Sequence, residues 1–264
     1  MNLDLGSIQK CLQAKMVGSE WKLLAAVPST NAALRALAQA GAPEGTVLLA
    51  EEQTAGHGRL GRPWFSPPGV NLYASVLFRP AIPPREVPGF AFVSSLALTD
   101  AIRAEGLAPA IKWPNDVLVD TRKVAGSLAE CASSGPRADW VIVGVGVNVN
   151  VTRAALRAAL GAAGSAAGSR GGAAGREIDR NAFAAAFLGS LDRWAATHAA
   201  EGPEPLLQAW RDRDILTGRR VEVRGEGEPW TGRVLGVDHE GYLVLRDARG
   251  ARRRVFTGEV RVAD

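Results

Sequence analysis

Residues 139–150, DWVIVGVGVNVN, alternate without a break: Val141, Val143, Val145, Val147 and Val149 face one way, and Gly144, Gly146, Asn148 and Asn150 the other. A period of two belongs to a strand, so this segment is expected to bury its valine face in a core. The opposite face constrains the fold further. Glycine inside a strand weakens it and offers nothing to pack, so it marks a close approach by backbone or ligand. Two readings stay open: a flat, hydrogen-bonding pocket floor, or a surface on which a helix packs.

The rest of the chain supplies cover for such a sheet. Ser29-Thr30-Asn31 offers side-chain oxygens to the free amides of a helix start. Leu34, Leu37 and Ala38 then repeat at helical spacing until Gly41 and Pro43. Strands are expected over 46–53, 71–79, 110–113, 116–120 and 123–131, and helices over 85–105, 181–200 and 205–215. In 71–79, Leu72, Ala74, Val76 and Phe78 share one face, which reads as a half-buried strand. Residues 161–176, GAAGSAAGSRGGAAGR, are low in complexity and read as a mobile surface loop. From Gly218 the texture changes to short strands between polar turns, the pattern of a small five-stranded, SH3-like β-barrel. This places a domain boundary near residue 216, giving domains 1–215 and 216–264.

Composition excludes several classes. With 47% hydrophobic and 22% charged residues, the chain is not a disordered one. It has no apolar run of about 18 residues for a membrane helix. Its start, MNLDLGSIQKCLQAK, has no signal-peptide core, so a cytoplasmic location is expected. Cys11 and Cys131 are far apart, and His57, His198 and His239 are scattered, so no zinc set forms. The net charge of +4 favours anions only weakly. The stretch 218–264 carries ten Arg against eight Asp and Glu and no aromatic cluster for base stacking, which argues against a nucleic-acid module.

Two blocks carry chemistry. In GHGRLG (56–61), three glycines let the backbone approach a ligand, and Arg59 and Arg62 offer fork-shaped donors for phosphate or carboxylate. Read alone, this is equally a glycine-rich hairpin with surface arginines. In Lys112-Trp113-Pro114-Asn115-Asp116 and Arg122-Lys123-Val124-Ala125-Gly126, two lysines bracket an acidic turn. An ammonium is a mobile point charge suited to phosphate, and an aspartate can hold Mg²⁺ or orient an amine. Lysine occurs only at positions 10, 15, 22, 112 and 123, so 26 of the 31 basic residues are arginine. A chain that spends arginine so freely raises a functional reading of Lys112 and Lys123 level with the plain one, a polar hairpin with solvated charges.

Ser29-Thr30-Asn31, Gln53, Gly56-His57-Gly58-Arg59-Leu60-Gly61-Arg62, Trp64-Phe65-Ser66-Pro67, Asn71-Leu72-Tyr73, the two lysine blocks and Gly144-Val145-Gly146-Val147-Asn148 follow one another in a fixed order. In that order and spacing the chain resembles bacterial biotin–protein ligases, densely over about 27–150 and in outline through the small C-terminal domain. The resemblance implies an α+β fold: a class II aminoacyl-tRNA synthetase-like mixed sheet with helices, plus the SH3-like barrel. It implies that biotin and ATP form biotinyl-5′-adenylate, from which a carrier lysine expels AMP. Biotin would meet Ser29, Thr30, Asn31, Gln53, Gly56, His57, Gly58, Arg59 and Lys123. ATP and the adenylate would meet Arg59, Arg62, Trp64 at the adenine, Asn115, Lys123 and Asn148. Lys123, Arg59, Asp116 and Lys112 would carry catalysis, with Asp116 placing Mg²⁺ or the incoming amine. The carrier implied is the biotin carboxyl carrier protein, the biotinyl domain of acetyl-CoA carboxylase, and a homodimer is compatible. No membrane partner is expected.

Two departures stand out. His57 replaces an arginine common in the family, and the roughly 28 residues before Ser29 leave no room for a winged helix-turn-helix, so no operator DNA is expected. A related lipoate or octanoyl transfer is the rival reading, but its R-R-x-x-G-G-G-x-V element is absent. No covalent nucleophile is evident, so the work falls to positioning and charge stabilisation.

Overall fold

The computed structural model describes residues 2–225, 228–256 and 258–263. A seven-stranded sheet is built from β1 (Trp21–Leu24), β2 (Val47–Ala50), β3 (Leu72–Phe78), β4 (Pro109–Lys112), β5 (Asp116–Val119), β6 (Arg122–Ala132) and β7 (Trp140–Val147). Its order is β1-β2-β3-β7-β6-β5-β4; β1 and β2 pair parallel and every other neighbour antiparallel. The helices are α1 (Leu5–Cys11), α2 (Thr30–Gln39), α3 (Gly89–Arg103), α4 (Arg153–Leu160), α5 (Arg170–Ala174), α6 (Arg180–Glu201) and α7 (Glu204–Arg211). The mixed sheet with helices agrees with the expected class; α1, β1 and α4 were not anticipated.

The alternation in β7 sets the layers. Val141, Val143, Val145 and Val147 are buried with Leu72, Ala74 and Val76 of β3 in a core shared with α3 and α6. Burying each such side chain is worth about 1.5–3 kcal/mol, and this face carries most of the apolar area. On the other face, Ile142 and Trp140 pack with Leu48, Leu77 and the α2 residues Leu34 and Ala38. Helix α2 is short, so its apolar residues cover only this end of the face, and it reaches Gly144 only through Asn31 at its N-terminus. Asn71 holds that end in place: its Oδ1 accepts from Val149 N at 2.9 Å, and its carbonyl accepts from the buried Arg180 at 3.0 Å. Arg180 Nη1 lies 2.7 Å from Glu51 Oε2, so it is not left as an unpaired buried charge.

The Ala/Gly stretch 161–176 differs from the mobile loop its composition suggests. It forms a 3-10 turn at Gly161–Ser165 and then α5. Lys123 N donates to Ala166 O at 3.0 Å, and Gly168 N returns to Lys123 O at 3.0 Å. Gly171 N donates to Val149 O at 2.7 Å. The reason is steric: small residues let the segment lie against the sheet edge closely enough to satisfy its backbone groups there.

A second, five-stranded antiparallel sheet contains β8 (Arg220–Arg224), β9 (Trp230–Val237), β10 (Leu243–Asp247), β11 (Arg252–Val255) and β12 (Glu259–Val262), in the order β11-β10-β9-β8-β12. Val221, Val223, Val234, Leu243, Leu245 and Val260 are buried in it. Trp113 Nε1 donates to Gly241 O at 3.1 Å across the junction with the first sheet. Among the described residues, no helix is long and apolar enough to cross a membrane.

Candidate active site

Three glycines form the floor of the site. Gly144 of β7 lies between Ser75 of β3 and Leu128 of β6; Gly146 lies between Tyr73 and Gly126. Each is covered from above. A Cβ at Gly144 would lie 2.0 Å from Asn31 Oδ1, one at Gly146 2.4 Å from Trp64 Nε1, and one at Gly126 3.2 Å from Lys123 Cε. Both readings of the Gly/Asn face therefore hold in part. A helix does pack there, through Asn31, and the remainder is the floor of a cavity of about 340 Å³.

One end of the cavity is uncharged and rigidly hydrogen-bonded. Ser29 caps α2, its Oγ accepting from Ala32 N at 3.4 Å. Thr30 N and Thr30 Oγ1 donate to Gln53 Oε1 at 2.9 and 3.1 Å, and Gln53 Nε2 donates to Ser66 Oγ at 3.2 Å. Ser75 Oγ lies 2.8 Å from Thr30 Oγ1 and 2.7 Å from Asn31 Oδ1. Asn31 Nδ2 donates to Glu130 Oε2 at 2.7 Å, and Arg35 holds the other oxygen of that carboxylate at 2.7 Å. The amides of Gln53 and Asn31 thus have one orientation each, which pre-organises them for a neutral polar ligand.

The other end is cationic. Arg59, Arg62, Lys112 and Lys123 line it, against two carboxylates, Asp116 and Glu259. Lys123 Nζ sits 2.6 Å from Asp116 Oδ1 and 5.2 Å from the Trp64 ring centroid. Lys112 faces Asp116 across the β4–β5 turn. Burial pulls the Lys112 ammonium and the Arg59 guanidinium below their ordinary values, and Asp116 opposes both shifts. Cations held in partial desolvation favour an anionic ligand, because its charge replaces the water they have lost.

Most of the expected residues converge here: Ser29, Thr30, Asn31, Gln53, His57, Gly58, Arg59, Arg62, Trp64, Lys112, Asn115, Asp116, Lys123 and Asn148 line the one cavity. Gly56 lies behind the wall: a Cβ there would be 2.9 Å from Gln53 Nε2, so the glycine makes room for Gln53. Asn148 gives its amide to Gly168 O at 2.9 Å, and Asn115 donates to Ser127 O. His57 is exposed, with Nδ1 3.2 Å from Ala55 O. Trp64 Nε1 is buried with no acceptor among the described residues.

The donor set does not fit a resident metal at Asp116. Among the described residues no three of His, Cys, Asp and Glu converge, and Asp116 is already paired with Lys123.

Sequence reasoning missed Ser75, Glu130, Ser127, Glu259 and the wall residues Ala166 and Ala167. Ser75 had a signal, a small hydroxyl residue amid the apolar residues of β3. Glu259 had none, lying 197 residues from the arginine it meets.

Residues 23–148 match the biotin/lipoate A/B protein ligase family, and residues 216–262 match the biotin protein ligase C terminal domain. A biotin–[acetyl-CoA-carboxylase] ligase of Paracoccus denitrificans is 36% identical over 86% of this chain and 95% of its own. One of Mycobacterium tuberculosis is 35% identical over 92% of this chain and 90% of its own. The biotin protein ligase from Aquifex aeolicus, solved in complex with biotin and ATP, superposes with a TM-score of 0.78 at 26% identity, covering 93% of this chain and 100% of that one.

Proposed function

The chain belongs to the biotin/lipoate A/B protein ligase family, and we propose that its cavity performs biotin–protein ligation with the following division of labour. The carboxylate of biotin attacks the α-phosphorus of ATP and pyrophosphate leaves. The ε-amine of a carrier lysine then attacks the acyl carbon and AMP leaves. The carrier is the biotin carboxyl carrier protein of acetyl-CoA carboxylase, the enzyme that names the Paracoccus and Mycobacterium relatives.

One observation carries this assignment: a single cavity has a neutral, hydrogen-bonded end and a cationic end, joined by a floor without side chains. The first suits an uncharged head group, with Ser29, Thr30, Asn31 and Gln53 as its contacts. The second suits a carboxylate and phosphates, which repel each other until Lys123, Arg59, Arg62 and Lys112 offset their charge. Trp64 and Asn148 serve the adenylate side. Asp116 holds Lys123 in place and faces the incoming amine. Mg²⁺ enters with the phosphates of ATP, as it does in sites that give it few protein ligands. The C-terminal family match starts at 216, which supports a division of the chain there.

The test is pyrophosphate exchange into ATP with biotin, lipoate and octanoate offered separately. Exchange with biotin alone is expected; exchange with lipoate or octanoate instead overturns the reading.

A further inference from the structure

Each of the two wall carboxylates is paired with a cation. Asp116 pairs with Lys123 at 2.6 Å, and Glu259 with Arg62 at 2.9 Å. The pairs differ in construction. Asp116 and Lys123 stand on neighbouring strands of one sheet, whereas Glu259 is on β12 of the other sheet and reaches across to the end of the Gly loop. The geometry points to Glu259 as a stand-in for phosphate: a positioning carboxylate that holds Arg62 at the cavity wall until the polyphosphate of ATP takes its place.

Three observations support exchange over permanent stapling. Glu259 divides its oxygens, Oε2 to Arg62 Nη2 and Oε1 to Arg261 Nε, each at 2.9 Å. When Arg62 leaves, Arg261 still neutralises the carboxylate, so no charge is stranded. The Arg62 side chain is 58% exposed in the pair, so water screens it and the bond is easily surrendered. Glu259 also acts electrostatically on Lys112, holding that ammonium's proton on. It is thus, with Asp116, one of the two anions that the cationic end faces. A phosphate offers Arg62 more charge and a bidentate face, so it wins the exchange. The same competition helps pyrophosphate leave, since Arg62 has a partner to return to.

The inference rests on the ligase reading. Its test uses the full-length protein and biotin-dependent pyrophosphate exchange. Glu259→Gln keeps the shape and removes the charge. It is expected to lower the KM for ATP about two- to five-fold, the scale of removing one competing exposed ion pair. Inhibition by pyrophosphate should tighten by a similar factor, and the KM for biotin should not move. In an Arg62→Met background, Glu259→Gln should change neither value. A merely structural bridge behaves otherwise: Glu259→Gln would lower the melting temperature and leave the KM for ATP unchanged or raised, and that result overturns the inference. So does a gain that persists without Arg62. Glu259→Asp, which keeps the charge, should remain within two-fold of the parent and serves as the check if the Gln variant melts early. A parent protein with no biotin-dependent exchange fails the ligase reading itself, before Glu259 is tested.

Discussion

A Cβ added at Gly61 would meet nothing within 4 Å, whereas one added at Gly164 would lie 2.5 Å from Leu156 O. The two glycines come from the two glycine-rich segments, 56–61 and 161–176, and stand for two jobs that glycine does there, although Gly56 of the first is packed on Ser66 and Gln53, and Gly161 and Gly175 of the second have open space. In the first, glycine supplies conformation: Gly61 has φ 69°, next to Leu60 at φ 58° with its side chain 72% exposed. In the second, glycine supplies room, with Gly168 pressed on Arg122 and Gly171 on Asn150. The tip of the first, Leu60-Gly61, packs on little; the second brackets Lys123 through its backbone. Glycine content therefore does not measure mobility. What lies opposite each missing side chain does.

The sharpest test is at the point the second segment brackets. Lys123→Arg keeps the charge but brings a planar fork into a space closed by Gly126, Asp116 and Trp64. Single-turnover adenylate formation is expected to fall about 100- to 1000-fold, with circular dichroism unchanged. A near-parental rate would remove Lys123 from the chemistry.

Deleting 162–174 comes next. Composition alone predicts a loss of a few-fold at most, but both backbone partners of Lys123 go with the segment. We expect adenylation about 100-fold slower in a variant that still folds, the usual consequence of displacing a reacting group by an ångström. Activity within a few-fold of the parent would show that the bracket is ornamental.

Arg170 tests how the segment is anchored. It has no exposure, stacks 3.4 Å from the Phe183 ring centroid, and lies 3.6 Å from Glu105 Oε1. None of its side-chain nitrogens has a hydrogen-bond acceptor among the described residues, and burial pulls its pKa down to about 10. Arg170→Ala should destabilise by about 3 kcal/mol in urea melts, through the cavity it leaves. Arg170→Leu should be neutral or stabilising, because Glu105 keeps Arg176 at 2.7 Å and a desolvated charge disappears. Two equally damaging substitutions would mean that the charge itself is needed.

A glycine scan makes the contrast quantitative. Gly168→Ala and Gly171→Ala each bring a Cβ to 2.9 Å from a neighbour and should cost about 1–3 kcal/mol. Gly58→Ala, with its nearest neighbour at 3.9 Å, should stay within about 0.5 kcal/mol. The smallest effect expected has the opposite sign. Leu60→Asn places a residue tolerant of positive φ where leucine is strained, and should add up to about 1 kcal/mol. Equal costs in both segments would erase the distinction.

Much of this was legible beforehand because it is local. The valine alternation in β7, the Ser29 cap and the alternation in β3 are written within a few residues, and the first two appeared as read; β3 reads as half-buried but is buried on both faces, because α2 and its neighbours cover the side away from the main core. Some short elements escaped: α1 has 7 residues and β1 has 4, and neither is set off on both sides by the turn signals that mark the equally short β2, β4 and β5. The ordered motifs named about two thirds of the residues lining the cavity, but not what orients them. Glu130 reaches Asn31 across 99 residues, and a separation of that size leaves no trace in a single chain. The segment 161–176 misled for a related reason, since alanine and glycine read as empty where the structure shows them as fitted.

The floor of the cavity has a consequence for inhibition. Drug resistance commonly arises by changing a side chain that the inhibitor touches. At Gly144 and Gly146 an added carbon would displace Asn31 or Trp64, and at Gly126 it would press on Lys123. A compound that takes its affinity from this floor would contact backbone that point mutation cannot alter without disturbing the enzyme's own ligand contacts, so its escape routes are confined to the cavity's rim.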